Sequence, residues 1–247
     1  MKKGTKLIEK EEIVLNGNSF PVEIFTVFGR SSSVRIKNGK IIIKISRFSF
    51  GFERKRIKKK FLNWALKKLK DFKESDFIKP VYKHRSRVCT HNKCYEIFVK
   101  KEDRKNNKTE LCLNGEIIFR LSKHSSNKDE DQLIKQLTEK LIIKDQSEYL
   151  VSTIDELNQL YFQERINFIK FRRSNSRFGS CSVKRNINIS LRLLFAPREV
   201  FRYVCIHELA HLKEFNHSKK FWSLVKDAMP EYKEHEIWLK NNGFMLG

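Results

Sequence analysis

The run His207-Glu208-Leu209-Ala210-His211, with His217 six positions further on, constrains this chain more than any other feature. Histidines four apart lie about one turn apart on a helix, so their rings leave the same face. Two imidazoles on one face can grip a zinc ion, and the carboxylate of Glu208 then lies beside a water activated by the metal. The run sits within PREVFRYVCIHELAHLKEF, whose Val200, Tyr203, Val204 and Leu209 recur at helical spacing. A helix beginning near Pro197 is therefore predicted, proline being well suited to a first turn.

A third ligand adds a geometric condition. On an unbroken helix, six residues rotate His217 by about 240° away from the first pair. The helix must end before His217 for its ring to return. Asn216 tolerates the left-handed conformation that closes helices, and Ser218 can cap a new helix, SKKFWSLVKDAM. A downstream carboxylate, Glu231, Glu234 or Glu236, is the alternative third ligand. His217 is preferred, because the helix break falls where the geometry needs it. Three imidazoles leave one open position on a single tetrahedral zinc. Glu208 is then the catalytic base, taking the water's proton and passing it to a leaving amine. The implied reaction is metal-assisted hydrolysis of a peptide bond in a peptide or protein substrate.

Composition bounds the rest. Of 247 residues 40% are hydrophobic, enough to fill a core, and no apolar run is long enough to span a membrane. The start, MKKGTKLIEKEEIVL, makes a poor signal peptide. Five cysteines (Cys89, Cys94, Cys112, Cys181 and Cys205) form an odd, sparse set, which predicts reduced thiols and a cytoplasmic protein. A formal charge of +23 favours polyanions such as nucleic acid, although a solvated lysine coat is the plainer explanation.

The expected fold class is α+β. A β-rich region with one basic helix spans residues 1–124, and a mainly helical catalytic domain with a short sheet spans 125–247. Asn16-Gly17, Asn38-Gly39 and Asn114-Gly115 each separate alternating apolar runs, which predicts type I′ hairpins. No internal repeat beyond these hairpins stands out. The basic helix is placed near 53–73, with Ile57, Phe61, Trp64, Ala65, Leu69 and Phe72 toward one face. The polar stretch His124 to Asp131 is the candidate linker. Helices follow near 130–143 and 147–163, then strands near 166–171 and 186–191. One of these strands can form an edge that receives an extended substrate. In the loop between them, Arg173 and Arg177 either bind a substrate carbonyl or carboxylate or anchor the loop. Cys181 and Cys205 are expected as packed thiols, and His235 as a packing or surface residue. His84, Cys89, His91 and Cys94 invite a second metal site, but the spacing fits no standard finger. A hairpin tipped by His91-Asn92-Lys93 is the favoured reading.

Several segments resemble the YgjP-like metallopeptidase family. They are Ser176-Arg177-Phe178-Gly179-Ser180-Cys181, Asn188-Ile189-Ser190-Leu191, Leu194-Phe195-Ala196-Pro197, His207 to Leu212, Asn216-His217-Ser218 and Phe221-Trp222. The resemblance is strong over residues 148–243. It implies a zincin-type domain with His207, His211 and His217 as zinc ligands and Glu208 as base. The layout is also similar to the SprT-like and WLM families, which include proteases that clear DNA-crosslinked proteins. With the positive charge, that similarity implies a nucleic-acid-associated protease as the alternative, beside a non-catalytic metal-binding protein.

Overall fold

The computed structural model describes residues 5–15, 18–37, 40–70, 80–123, 130–174 and 176–246. The architecture is mixed α+β, with six helices and three small sheets among those residues. No described helix is long and apolar enough to cross a membrane. The chain divides into two compact units, residues 1–77 with 239–247, and residues 78–238.

The first unit holds β1 (Thr5–Leu15), β2 (Asn18–Val27), β3 (Ser33–Lys37), β4 (Lys40–Ser46) and α1 (Gly51–Lys70). Its sheet order is β1-β2-β4-β3, with β2 and β4 parallel at the centre. Alternation makes this sheet one-sided: Ile41, Ile43 and Ile45 of β4 point inward beside Val22 and Ile24 of β2. Ala65 and Leu69 of α1 join that core, with Ile57, Phe61 and Leu62 partly packed. Each fully buried isoleucine contributes roughly 1.5–3 kcal/mol, so this small unit depends on every one. Trp64 departs from its expected place on the apolar face; it is 43% exposed. Phe72 and the tips Asn16-Gly17 and Asn38-Gly39 lie outside the described residues.

The second unit begins with β5 (Ser86–Cys89), β6 (Cys94–Glu102), β7 (Lys108–Leu111) and β8 (Glu116–Ser122), in the order β5-β6-β8-β7. This sheet repeats the first in order and in sense, with the central β6–β8 pair parallel. The repeat extends to sequence: Asn-Gly-Lys-Ile-Ile-Ile-Lys-Ile-Ser (38–46) matches Asn-Gly-Glu-Ile-Ile-Phe-Arg-Leu-Ser (114–122). Even the strand ends agree. Ser46 N–H donates to Ser32 Oγ at 2.9 Å, and Ser122 N–H to Asn107 Oδ1 at 2.8 Å, each acceptor being the residue that precedes the outer strand. The chain therefore contains an internal ββββ repeat that a search for hairpins alone overlooks. At the second tip only Gly115 has positive φ (+88°); Cys112 accepts from Gly115 N–H and donates to Glu116 O. That is a three-residue loop with a glycine bulge, not the two-residue type I′ turn expected from Asn-Gly.

Next come α2 (Glu130–Asp145) and α3 (Ser147–Leu157), the latter continued by a π turn, Asn158–Phe162. Then follow β9 (Phe168–Arg172), β10 (Gly179–Cys181), β11 (Asn186–Ser190), α4 (Arg198–Ala210), α5 (Lys219–Ala228) and α6 (Tyr232–Asn242). The boundary expected after residue 124 does not coincide with the division into units. Residues 124–129 lie outside the described residues, and Glu130 and Asp131 form the first turn of α2. The β5–β8 sheet belongs with the helices because a polar network joins them. Asp145 accepts from Tyr95 Oη at 2.5 Å, from Lys93 Nζ at 2.9 Å and from Gln146 Nε2 at 3.0 Å. His91 N–H donates to Leu194 O, and its ring lies 5.0 Å from that of Phe201 on α4.

Burial works against the Asp145 anion, but the bonds from Tyr95, Lys93 and Gln146 outweigh it and hold the carboxyl below its usual range. Because the folded value is depressed, its stabilisation is present above the unfolded value of about 4 and is lost as pH falls through the folded one. Asp145→Asn is expected to cost roughly 1.5–3 kcal/mol at pH 7, with a smaller deficit at pH 3. Urea unfolding at the two pH values measures both.

The cysteines differ from expectation. Cys89 and Cys94, directly opposite on β5 and β6, are joined by a disulfide. Cys112, Cys181 and Cys205 are free. Because the two sulfurs consume each other, and His84 Nδ1 accepts from Val99 N–H, this cluster offers no second metal site.

Candidate metal centre

Helix α4 is buried nearly all round: Val200, Phe201, Tyr203, Val204, Cys205, Ile206, Leu209 and Ala210 are all in the core. Its start follows Pro197, as the sequence predicts. Its end does not. The helix stops at Ala210, and Leu212, Lys213 and Glu214 fold back with N–H bonds to Leu209 and Ala210 carbonyls. Asn216 takes no left-handed conformation; its carbonyl accepts from Ser218 N–H at 2.8 Å. The chain thus leaves the helix four residues earlier than Asn216 would close it. Ser218 does cap α5, accepting from Phe221 N–H at 3.3 Å.

This route brings His217 back to the pair on α4. His217 Nε2 lies 3.1 Å from His207 Nε2, and one ligating atom from each of the three rings lies within 4.8 Å of the others. A tetrahedral zinc with ligands at 2.0–2.1 Å spaces them about 3.4 Å apart, so the rings are already near bridging distance. His211 Nδ1 lies 3.1 Å from Glu214 O. A carbonyl only accepts, so Nδ1 carries the proton and Nε2 keeps its lone pair for a metal. Burial, and after it the neighbouring rings, pushes His207 down to about 3; burial also lowers His211. Both are neutral at pH 7, the state a metal requires. Among the described residues Glu231, Glu234 and Glu236 do not join this cluster.

Phe221, fully buried on α5, lies under all three rings with centroid distances of 4.9, 4.5 and 4.8 Å. It fixes the imidazole planes by packing. Phe221→Ala is expected to cost about 3–5 kcal/mol and to weaken metal retention, read by thermal melting with and without zinc.

Glu208 is 5% exposed and faces strand β10. β10 is an edge strand, paired on one side with β11. Phe178 and Ser182 bond to β11 through Ser190 N–H and Asn186 O, so by alternation the backbone groups of Gly179 and Cys181 point to the open side. Burial raises the Glu208 carboxyl to about 8, against the pull of the Cys181 backbone N–H and of Arg177. A carboxyl held in that range is suited to take and return a proton near neutrality. The Cys181 thiol is pushed up to about 11 by burial and by Glu208, so it is no nucleophile at pH 7.

The sequence marks Gly179 through the Ser176–Cys181 match but does not show its contact with Glu208. A β-carbon there would lie 2.7 Å from both Cγ and Cδ of Glu208, and against its Oε1. The glycine is needed because the carboxylate occupies the space a side chain would fill. Gly179→Ala is expected to displace Glu208 and lower kcat about 100-fold with metal content unchanged. Metal analysis alongside steady-state kinetics checks both halves.

Residues 30–242 match the model of the YgjP-like, metallopeptidase domain family. The chain belongs to that family. A curated relative of this YgjP-like chain, named UTP pyrophosphatase from Escherichia coli (strain K12), is 30% identical over 93 residues. The match covers 34% of this chain and 56% of the relative, so the chain spans about half of that protein's length. Two solved metallopeptidase zymogens are also similar. Abylysin of Pyrococcus abyssi is 26% identical with a TM-score of 0.34, and jannalysin of Methanocaldococcus jannaschii is 23% identical with a TM-score of 0.33. Each comparison covers 37% of this chain and 93% of the other.

Proposed function

We propose that this YgjP-like metallopeptidase-family chain is a zinc-dependent peptide hydrolase. In this reading His207, His211 and His217 hold one zinc ion, and Glu208 is the general base. The supporting observation is the placement of one buried carboxylate between a triad of imidazoles and an open strand edge. Zinc supplies a Lewis acid that polarises a carbonyl and acidifies water. The chain's own groups do the rest. The outward N–H and C=O of Gly179 and the C=O of Cys181 align an extended peptide by strand addition. Glu208, held by the Cys181 N–H, removes a proton from the attacking water and delivers it to the departing amine. Phe221 and Trp222 keep the imidazoles in place.

The test is digestion of a peptide library by the full-length, zinc-loaded protein. Cleavage that stops on chelation and returns with zinc supports the reading. Absence of cleavage across the library at one zinc per chain contradicts it. The curated relative's name motivates a second reading, hydrolysis of a nucleoside triphosphate's phosphoanhydride at the same site. The guanidinium groups beside β10 favour it. Release of pyrophosphate from UTP by the same preparation identifies that activity. The +23 charge by itself names no partner, and nucleic acid forms no part of either reading.

A further inference from the structure

A cleft of about 420 Å³ opens along strand β10, whose Gly179 separates it from Glu208. Its lining includes Arg172, Arg173, Arg177, Phe178, Gly179 and Ser190. Gly179 belongs to both places: it lines the cleft and it abuts the Glu208 carboxylate. The three arginines are not equivalent. Arg173 is an anchor, because its Nε lies 3.2 Å from Glu139 Oε2 and its guanidinium donates to the Gln136 carbonyl of α2. Arg172 and Arg177 have no acidic partner within 4 Å among the described residues. Arg177 acts on the charge of Glu208 from a distance without pairing to it. Behind the cleft the Arg192 guanidinium stacks on the Phe178 ring at 4.6 Å. The region is therefore cationic, with two unneutralised forks facing open space.

Two such guanidiniums in a cleft along β10 repel cationic groups and attract anions. Guanidinium forks match a carboxylate in planar, bidentate geometry. The distance along the chain sets which part of a substrate they reach. Arg177 precedes Gly179 by two residues, about 6–7 Å along an extended backbone. A peptide lying along β10 with its scissile bond beside Glu208 would bring a side chain one or two positions away to this cleft.

We propose that this cleft is a carboxylate-binding subsite, formed by Arg172 and Arg177, that selects peptide substrates carrying an acidic group within two residues of the scissile bond. The proposal rests on the peptidase reading and adds a substrate class to it. The carboxylate can come from a Glu or Asp side chain or from a peptide C-terminus.

The experiment uses full-length, zinc-loaded protein and peptides with Glu or Gln at each of the two positions on either side of the bond. Each peptide is made with a free and with an amidated C-terminus. The expected result is a Glu/Gln ratio in kcat/KM of about 10 at one or more positions, falling toward 1 in Arg172→Gln/Arg177→Gln and declining with salt. Loss of rate only on amidation would assign the same subsite to a C-terminus. Binding of the labelled peptides to zinc-loaded Glu208→Gln protein, with UTP and inorganic triphosphate as competitors, gives a readout independent of turnover. Arg-dependent preference for the Glu peptide in that assay, without cleavage by the wild type, would support the subsite and contradict the peptidase reading. Cleavage with equal Glu and Gln rates would overturn the subsite and leave the peptidase reading standing. Arg-dependent binding of UTP or triphosphate with no peptide preference would overturn the carboxylate assignment in favour of phosphate.

Discussion

Glu208→Gln is expected to retain about one zinc per chain and to lose hydrolysis by roughly 10²–10⁴-fold, the usual contribution of a general base. The two side chains have nearly the same shape. The amide oxygen can still accept from the Cys181 N–H that holds the carboxylate. It cannot accept a proton from water. Stability should not fall much, because burial already disfavours the Glu208 anion. The substitution therefore separates chemistry from folding. Kinetics and metal analysis on one preparation measure both. Activity within threefold of wild type would show that another group moves the proton.

The second large effect is expected from His211→Ala. This removes the proposed ligand whose orientation is best fixed, by the Nδ1–H bond to Glu214 O. Even loss of an outer-shell partner typically costs 10–100-fold in metal affinity, so loss of a ligand should cost more. Zinc should be absent after dialysis, and hydrolysis with it. Metal binding is linked to folding: at a hundred times its dissociation constant, a ligand stabilises by about 2.7 kcal/mol. The wild type should therefore melt at a higher temperature with added zinc, and the variant should not respond. A zinc-dependent shift of equal size in the variant would place the metal elsewhere.

The site was legible in the sequence where local rules govern it. The spacing of His207 and His211 follows from the helical period, and Ser218 is recognisable as a cap from its place before KKFW. The end of α4 was not, because helix termination at Ala210 is set by how residues 211–217 pack back, not by a stop residue. The same limit applies to Gly179. Its role depends on a side chain 29 positions away, and no local pattern reports that contact. Arg173 and Arg177 read alike in the sequence; only the position of Glu139 on α2 separates anchor from free guanidinium. In the sheets, Asn-Gly pairs marked the hairpins, but the parallel pairings β2–β4 and β6–β8 that weld them are non-local. The Cys89–Cys94 bond likewise required the β5–β6 register, which places the two residues opposite each other.

The central proposal is that the imidazoles of His207, His211 and His217 hold one catalytic zinc. X-ray absorption at the zinc edge on the full-length protein tests it most directly. The expected spectrum shows three imidazole nitrogens at about 2.0–2.1 Å and no sulfur, with one imidazole lost in His217→Ala. A sulfur neighbour at about 2.3 Å, or an unchanged imidazole count in His217→Ala, would contradict it.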